Sequence, residues 1–101
     1  MSAKSAVEDN ISGSSAKKTV VFSKSYCPYC KSTKDLLDSL KVDYDVYELD
    51  QMEEGSDWQA YLAEKTGQRT VPSVFIGQKH IGGNSDLQAL HKKGELQKLV
   101  N

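Results

Sequence analysis

Apolar residues along this chain recur first at one spacing and then at another, and each change of period marks a new element. Lys18-Thr19-Val20-Val21-Phe22-Ser23 is a short β-branched and aromatic run that reads as a buried strand. Thr33, Leu36, Leu37 and Leu40 then fall at helical spacing and make one apolar stripe. From Val42 to Leu49 the pattern alternates, Val42, Tyr44 and Val46 against Asp43, Asp45 and Tyr47, which predicts a second strand. Strand, helix, strand of these lengths is a right-handed crossover, so the two strands should be parallel.

Ser56-Asp57-Trp58-Gln59 fits a capping box, with Ser56 at the cap and Gln59 three residues on. Trp58, Tyr61, Leu62 and Lys65 continue one helical face, and Gly67 suits the left-handed position just past the end. That spacing assigns Trp58 and Tyr61 to the core. Two short strands follow, Ser73 to Ile76 and Lys79 to Ile81, joined at Gly77-Gln78, a pair that fits a tight II′ turn. Gly82-Gly83 leads into Ser85-Asp86-Leu87-Gln88, a second capping box, whose helix turns Leu87 and Leu90 inward. Lys92-Lys93-Gly94 closes it, and Leu96, Leu99 and Val100 mark a short final helix. Residues 1–17 form an arm in which Val7 and Ile11 are four apart, a spacing that suits a short amphipathic helix before Gly13 and a solvated tail equally. The order α–β–α–β–α–β–β–α–α predicts an α/β domain over residues 18–101: a four-stranded mixed sheet with helices on both faces.

Charge narrows the partners. With 13 basic and 14 acidic residues and a net charge of −1, the chain offers no surface for nucleic acid or an anionic membrane. No apolar run approaches a membrane span, and no basic-then-apolar leader opens the chain. A mitochondrial presequence would be Arg-rich and acid-poor, whereas residues 1–17 lack Arg and include Glu8 and Asp9. The expected location is therefore cytoplasmic.

The candidate chemistry lies in Lys24-Ser25-Tyr26-Cys27-Pro28-Tyr29-Cys30, where the first strand should end and a helix begin. Pro28 suits a first helical residue, since it has no N–H to lose there and its φ is already helical. Cys27 then falls at the N-cap, where free N–H groups and the positive dipole end favour a thiolate. A lowered pKa and a nucleophilic role are expected of it. Cys30, one turn along on the same face, can reach the same sulfur and should be less exposed. These are the only two cysteines, and His80 and His91 are too far apart for a ligand pair, so a four-ligand zinc site is not expected. A static disulfide closing so short a loop would gain little entropy, and a reducing compartment would open it. Redox chemistry is the reading that remains.

Cys27-Pro28-Tyr29-Cys30, Thr70-Val71-Pro72 and Gly82-Gly83-Asn84-Ser85-Asp86, in this order, resemble a dithiol glutaredoxin of the thioredoxin fold over about residues 18–100. Thioredoxin itself would carry Trp-Cys-Gly-Pro-Cys, and this chain does not. Residues 66–72 and 77–83 are also similar to fungal members of the family. The resemblance implies a cis peptide before Pro72, which leaves the Val71 backbone free to pair with an extended peptide. It implies glutathione as co-substrate and no metal.

Glutathione carries two carboxylates and one ammonium group, and residues can be matched to each. Lys24 and Arg69, the only arginine, would hold the glycine carboxylate. Ser85, as a helix cap, would bring N–H groups to the γ-Glu carboxylate, with Asp86 accepting from the amine. Gly82 and Gly83 permit close backbone approach. By resemblance Tyr29, Gln59, Thr70 and Asn84 also border the groove. The implied activity is reduction of protein–glutathione mixed disulfides and protein disulfides by a monomer. The alternative within the family is a dimer holding a 2Fe–2S cluster through Cys27 of each chain and two glutathiones. Pro28 counts against it, because cluster-binding members have a smaller residue there.

Overall fold

The structure, a computed structural model, describes residues 2–12 and 19–100. Gly13, expected to end the first helix, and Lys18, expected to open the first strand, lie outside the described residues. The elements run α1 (Ala3–Ser12), β1 (Thr19–Ser23), α2 (Pro28–Ser39), β2 (Tyr44–Glu48), a single 3-10 turn (Leu49–Gln51), α3 (Gly55–Thr66), β3 (Ser73–Ile76), β4 (Lys79–Gly82), α4 (Asn84–Lys92) and α5 (Leu96–Val100). The four strands form one sheet in the order β2-β1-β3-β4. β1 and β2 are parallel, with Val21 opposite Val46, while β3 runs antiparallel to β1 and β4 to β3.

β1 lies between two neighbours and beneath helices on both faces, so all five of its residues are buried. Alternation then separates two cores. Val20, Phe22 and Phe75 face α1 and α3, where Val7, Ile11, Trp58 and Leu62 complete an aromatic-rich cluster. Val21, Val74 and Ile76 face α2, α4 and α5, whose Leu37, Leu87 and Leu96 make an aliphatic one. Within the N-terminal arm, Ala3–Ser12 form a helix, because Val7 and Ile11 supply the cover that Phe22 and Trp58 require. α1 is also clamped from outside: the Glu8 carboxylate pairs with Lys65 at 2.8 Å and accepts from the Tyr61 hydroxyl.

Local expectations needed correction at four places. β2 is shorter than Val42 to Leu49, because the Val42 N–H closes the end of α2 by donating to the Leu37 carbonyl at 3.1 Å. Tyr47, on the face read as polar, packs against Phe22 and Trp58 at 5.7 and 5.6 Å, while Val46 is exposed on the sheet edge. Helix α3 starts at Gly55 and not after a Ser56 cap. Gly55 is packed so closely on the 3-10 turn that a Cβ there would stand 1.7 Å from the Leu49 carbonyl oxygen. The β3–β4 turn has positive φ at both Gly77 (57°) and Gln78 (71°), the signature of a I′ turn rather than II′. The fourth, at the start of α4, belongs to the site. Among the described residues no helix is long and apolar enough to cross a membrane.

Candidate active site

β1 delivers the chain to the carboxyl edge of the sheet, where Lys24, Ser25 and Tyr26 turn it into α2. Cys27 is the N-cap of α2, with extended φ and ψ of −86° and 120°, and Pro28 is its first helical residue. The Cys27 N–H donates to the Lys24 carbonyl at 3.1 Å, and the Cys30 N–H donates to Cys27 Sγ at 3.4 Å. That sulfur is partly exposed and both cysteines are free, whereas Cys30 is fully buried. Burial pushes the Cys30 thiol up from its ordinary range, so it remains a thiol where its neighbour is open to solvent. One sulfur faces outward on a helix N-terminus and the other waits beneath it.

The opposite wall is the start of β3. Register places Ser73 beside Phe22, so the residues before Ser73 reach the same sheet edge as Cys27. The Val71–Pro72 peptide is cis, and the Val71 carbonyl lies 3.8 Å from Cys27 Sγ. Gln68 holds this loop, its Nε2 donating to the carbonyls of both Thr70 (2.9 Å) and Pro72 (2.7 Å).

The third wall is the start of α4. Its cap is Gly83 and not Ser85, which falls inside the first turn. The Asp86 carboxylate accepts the Gly83 N–H at 3.1 Å, so the reaching-back half of the box is present two residues earlier than the Ser-x-x-Gln pattern suggested. Gly82 has no room for a Cβ, which would stand 2.2 Å from that carboxylate. Asn84 ties α4 to the cysteine helix, its Oδ1 accepting from buried Thr33 Oγ1 at 2.9 Å and from Gln88 Nε2 at 3.3 Å.

Between these walls Tyr29, Thr70, Val71, Pro72, Gly83, Asn84 and Ser85 line a cleft of about 440 Å³, all of them expected at the site from sequence. The size suits a small peptide. Other expected residues are placed apart. Gln59 and Arg69 share a separate hollow of about 490 Å³ on the outer side of α3, where Gln59 Nε2 donates to the Arg69 carbonyl at 3.1 Å. Asp86, whose carboxylate meets the Gly83 N–H at the edge of the cleft, also lines a third and larger cavity, about 570 Å³, between β4, α4 and α5. Lys24 stands on the turn before Cys27, its ammonium in no ion pair among the described residues.

Two residues went unnoticed in the sequence. Gln68 could have been suspected, since a loop whose carbonyls cannot join a ladder needs a donor nearby. Asp50 could not, because it acts across 25 positions: its carboxylate accepts the Ser25 N–H at 2.8 Å and the Ser25 hydroxyl at 2.5 Å. These hydrogen bonds hold the Asp50 carboxyl below its ordinary range. Among the described residues no three His, Cys, Asp or Glu side chains gather as a metal site.

The glutaredoxin family profile matches residues 19–81. A glutaredoxin from Ricinus communis is 57% identical over 86 residues, covering 85% of this chain and 84% of that one. Glutaredoxin-2 of Schizosaccharomyces pombe is 51% identical over 98 residues, 97% of this chain and 86% of its own, so the likeness extends to plants as well as fungi. Among solved structures, a buckwheat glutaredoxin–glutathione complex superposes with a TM-score of 0.91 at 43% identity, covering 97% of this chain and 86% of that one. With the family profile matched over most of its length and relatives more than half identical to it, the chain belongs to the glutaredoxin family.

Proposed function

We infer that this chain is a glutathione-dependent thiol–disulfide oxidoreductase that works through Cys27 and Cys30 and reduces protein–glutathione mixed disulfides. The observation that carries the reading is the sulfur of Cys27, partly exposed at a helix N-terminus, with a main-chain N–H directed at it and a peptide-sized cleft beside it. The family match supports the same chemistry.

In the first step the Cys27 thiolate attacks the glutathionyl sulfur. A new S–S bond forms, the old one breaks, and the protein sulfur leaves as a thiolate that takes a proton from solvent. In the second step the thiolate of another glutathione attacks the glutathionyl sulfur of the Cys27–glutathione disulfide, Cys27 Sγ leaves as thiolate, and glutathione disulfide departs. The net exchange consumes one added glutathione: its sulfur is oxidised into glutathione disulfide, whose other half came from the substrate, as the protein thiol is released. For protein disulfides, the Cys27 thiolate attacks one sulfur of the pair and the other leaves as thiolate; Cys30 then loses its proton and attacks Cys27 Sγ, the first protein sulfur leaves in turn, and two glutathiones reduce the resulting Cys27–Cys30 bond. A thiol kept protonated by burial suits that second role, since it does not compete for the first attack.

The groove reading is as follows. The cysteinyl backbone of glutathione pairs with Val71, the γ-Glu carboxylate meets the N–H groups at the start of α4, and Asp86 takes the amine. The glycine carboxylate lies toward Lys24 and Arg69. The enzyme is proposed to act as a cytoplasmic monomer, in keeping with two free cysteines that a reducing compartment keeps open.

The test is the pair Cys27→Ser and Cys30→Ser. The first should reduce turnover of a glutathione mixed disulfide by about 10³-fold or more, as expected for loss of a nucleophile. The second should retain that turnover and lose reduction of protein disulfides. Equal losses in both variants would overturn the assigned roles.

A further inference from the structure

Five tyrosines divide into two kinds. Tyr44, Tyr47 and Tyr61 are packed against the core, and each hydroxyl donates to a partner: Asp38, Asn10 and Glu8. Tyr26 and Tyr29 are 71% and 67% exposed, flank the nucleophile, and have no hydrogen bond or ring contact among the described residues. Tyr29 lines the cleft. Tyr26 does not, and nothing in the folding of the chain accounts for it. An apolar residue just before an N-cap usually packs on the fourth helical residue, but that residue here is Lys31, engaged with Asp35 at 2.8 Å.

The turn that carries Tyr26 is nonetheless held firmly. Ser25 gives both its donors to Asp50 and accepts from Gln51 Nε2 at 3.2 Å. Asp50 and Gln51 follow β2, whereas the cleft lies between the start of β3 and α4. With β1 between β2 and β3 in the sheet, the tether and the cleft stand on opposite sides of Cys27. A mixed disulfide brings two halves to that sulfur, and the cleft has room for one.

We propose that Tyr26 is the docking surface for the other half: the protein chain whose thiolate departs in the first step. This rests on the function inferred above and assigns the part of the substrate that the glutathione groove leaves unaddressed. A tyrosine ring suits the task, giving a large, rigid and amphipathic contact at small entropic cost to clients of varied sequence. The Ser25–Asp50 tether keeps the ring outward beside the reacting bond, so the protein is met at the residues flanking its modified cysteine.

The experiment compares two substrates: serum albumin glutathionylated on its free cysteine, and the mixed disulfide of glutathione with 2-mercaptoethanol, which has no protein half. Tyr26→Ala should lower kcat/KM for the albumin substrate about 5- to 10-fold, the effect of truncating an interface aromatic. The small substrate should change less than twofold, and Tyr26→Phe should restore most of the loss. Equal losses on both substrates, no loss on albumin, or a Phe variant as poor as Ala would each overturn the proposal. Failure of the unaltered protein to reduce either substrate would instead overturn the function on which it rests. A melting temperature within a few degrees of the parent is expected for a residue this exposed.

Discussion

The two faces of the sheet each bury an apolar cluster and do different work. On one, α1 and α3 close over Phe22, Phe75 and Trp58, with Phe22 meeting the other two rings edge-on at 5.9 and 6.3 Å. On the other, α2 and α4 rest on Val21, Val74 and Leu87, and these two helices bring Cys27 and the Gly83–Asp86 turn to one sheet edge. Aromatic rings fill volume on the face that only has to be sealed. Smaller aliphatic side chains let two helices approach closely enough for Thr33 and Asn84 to join them, and that bond sets the distance from sulfur to cleft. One face holds its shape for stability and the other for chemistry.

This division can be broken by truncation. Phe22→Ala should cost about 3–5 kcal/mol and Leu87→Ala about 2–5 kcal/mol, lowering the melting temperature by about 4–8 °C for each kcal/mol. The informative readout is KM for a small glutathione mixed disulfide, measured well below the melt. It should rise severalfold in Leu87→Ala, where α4 loses its seat, and change less than twofold in Phe22→Ala. Similar KM values would show that the faces are not functionally distinct.

A finer cut is Thr33→Val, which keeps shape and removes the donor to Asn84. Stability should fall by about 1 kcal/mol, with a few-fold rise in the same KM and little change in kcat, as when ground-state binding is lost. An unchanged KM would dissociate the bridge from the cleft.

The smallest effect belongs to the sealing face. Hydrogen bonds from Lys65 and Tyr61 hold the Glu8 carboxyl below its ordinary value of 4.5. A group whose folded pKa is depressed stabilises the fold above its ordinary range, and that contribution is lost as pH falls through the folded value. Denaturant midpoints measured between about pH 7 and pH 3 should therefore fall slightly less steeply in Glu8→Gln than in the parent. The difference at neutrality should be no more than about 1 kcal/mol, as for a half-exposed ion pair. Turnover at pH 7 should be unaffected, because α1 touches only the sealing face.

Much of this was legible because the relevant signals are local. The run Thr19–Ser23, the proline after Cys27 and the glycines at 82 and 83 each state their conformation within a few residues. Both capping boxes were misread for the same reason: Ser56 and Ser85 stand in the right local pattern, but the true helix starts answer to more distant groups. Gly55 is fixed by the carbonyl of Leu49, and Gly83 by how closely Gly82 approaches Asp86. The fate of residues 3–12 depended on an uncovered aromatic face assembled from β1, β3 and α3, which no window of the sequence displays. The Ser25–Asp50 tether joins polar residues whose types are ordinary at turns anywhere, so only the folded chain reveals the pair.

The donor aimed at the reactive sulfur is the amide of position 30, part of the polypeptide itself. The hydrogen bond to that sulfur and the capacity to form an internal disulfide are thus held by different atoms of one residue. A serine at that buried position would leave the former intact while deleting the latter. A one-cysteine descendant of this protein is a single codon away, with its first half-reaction already provided for.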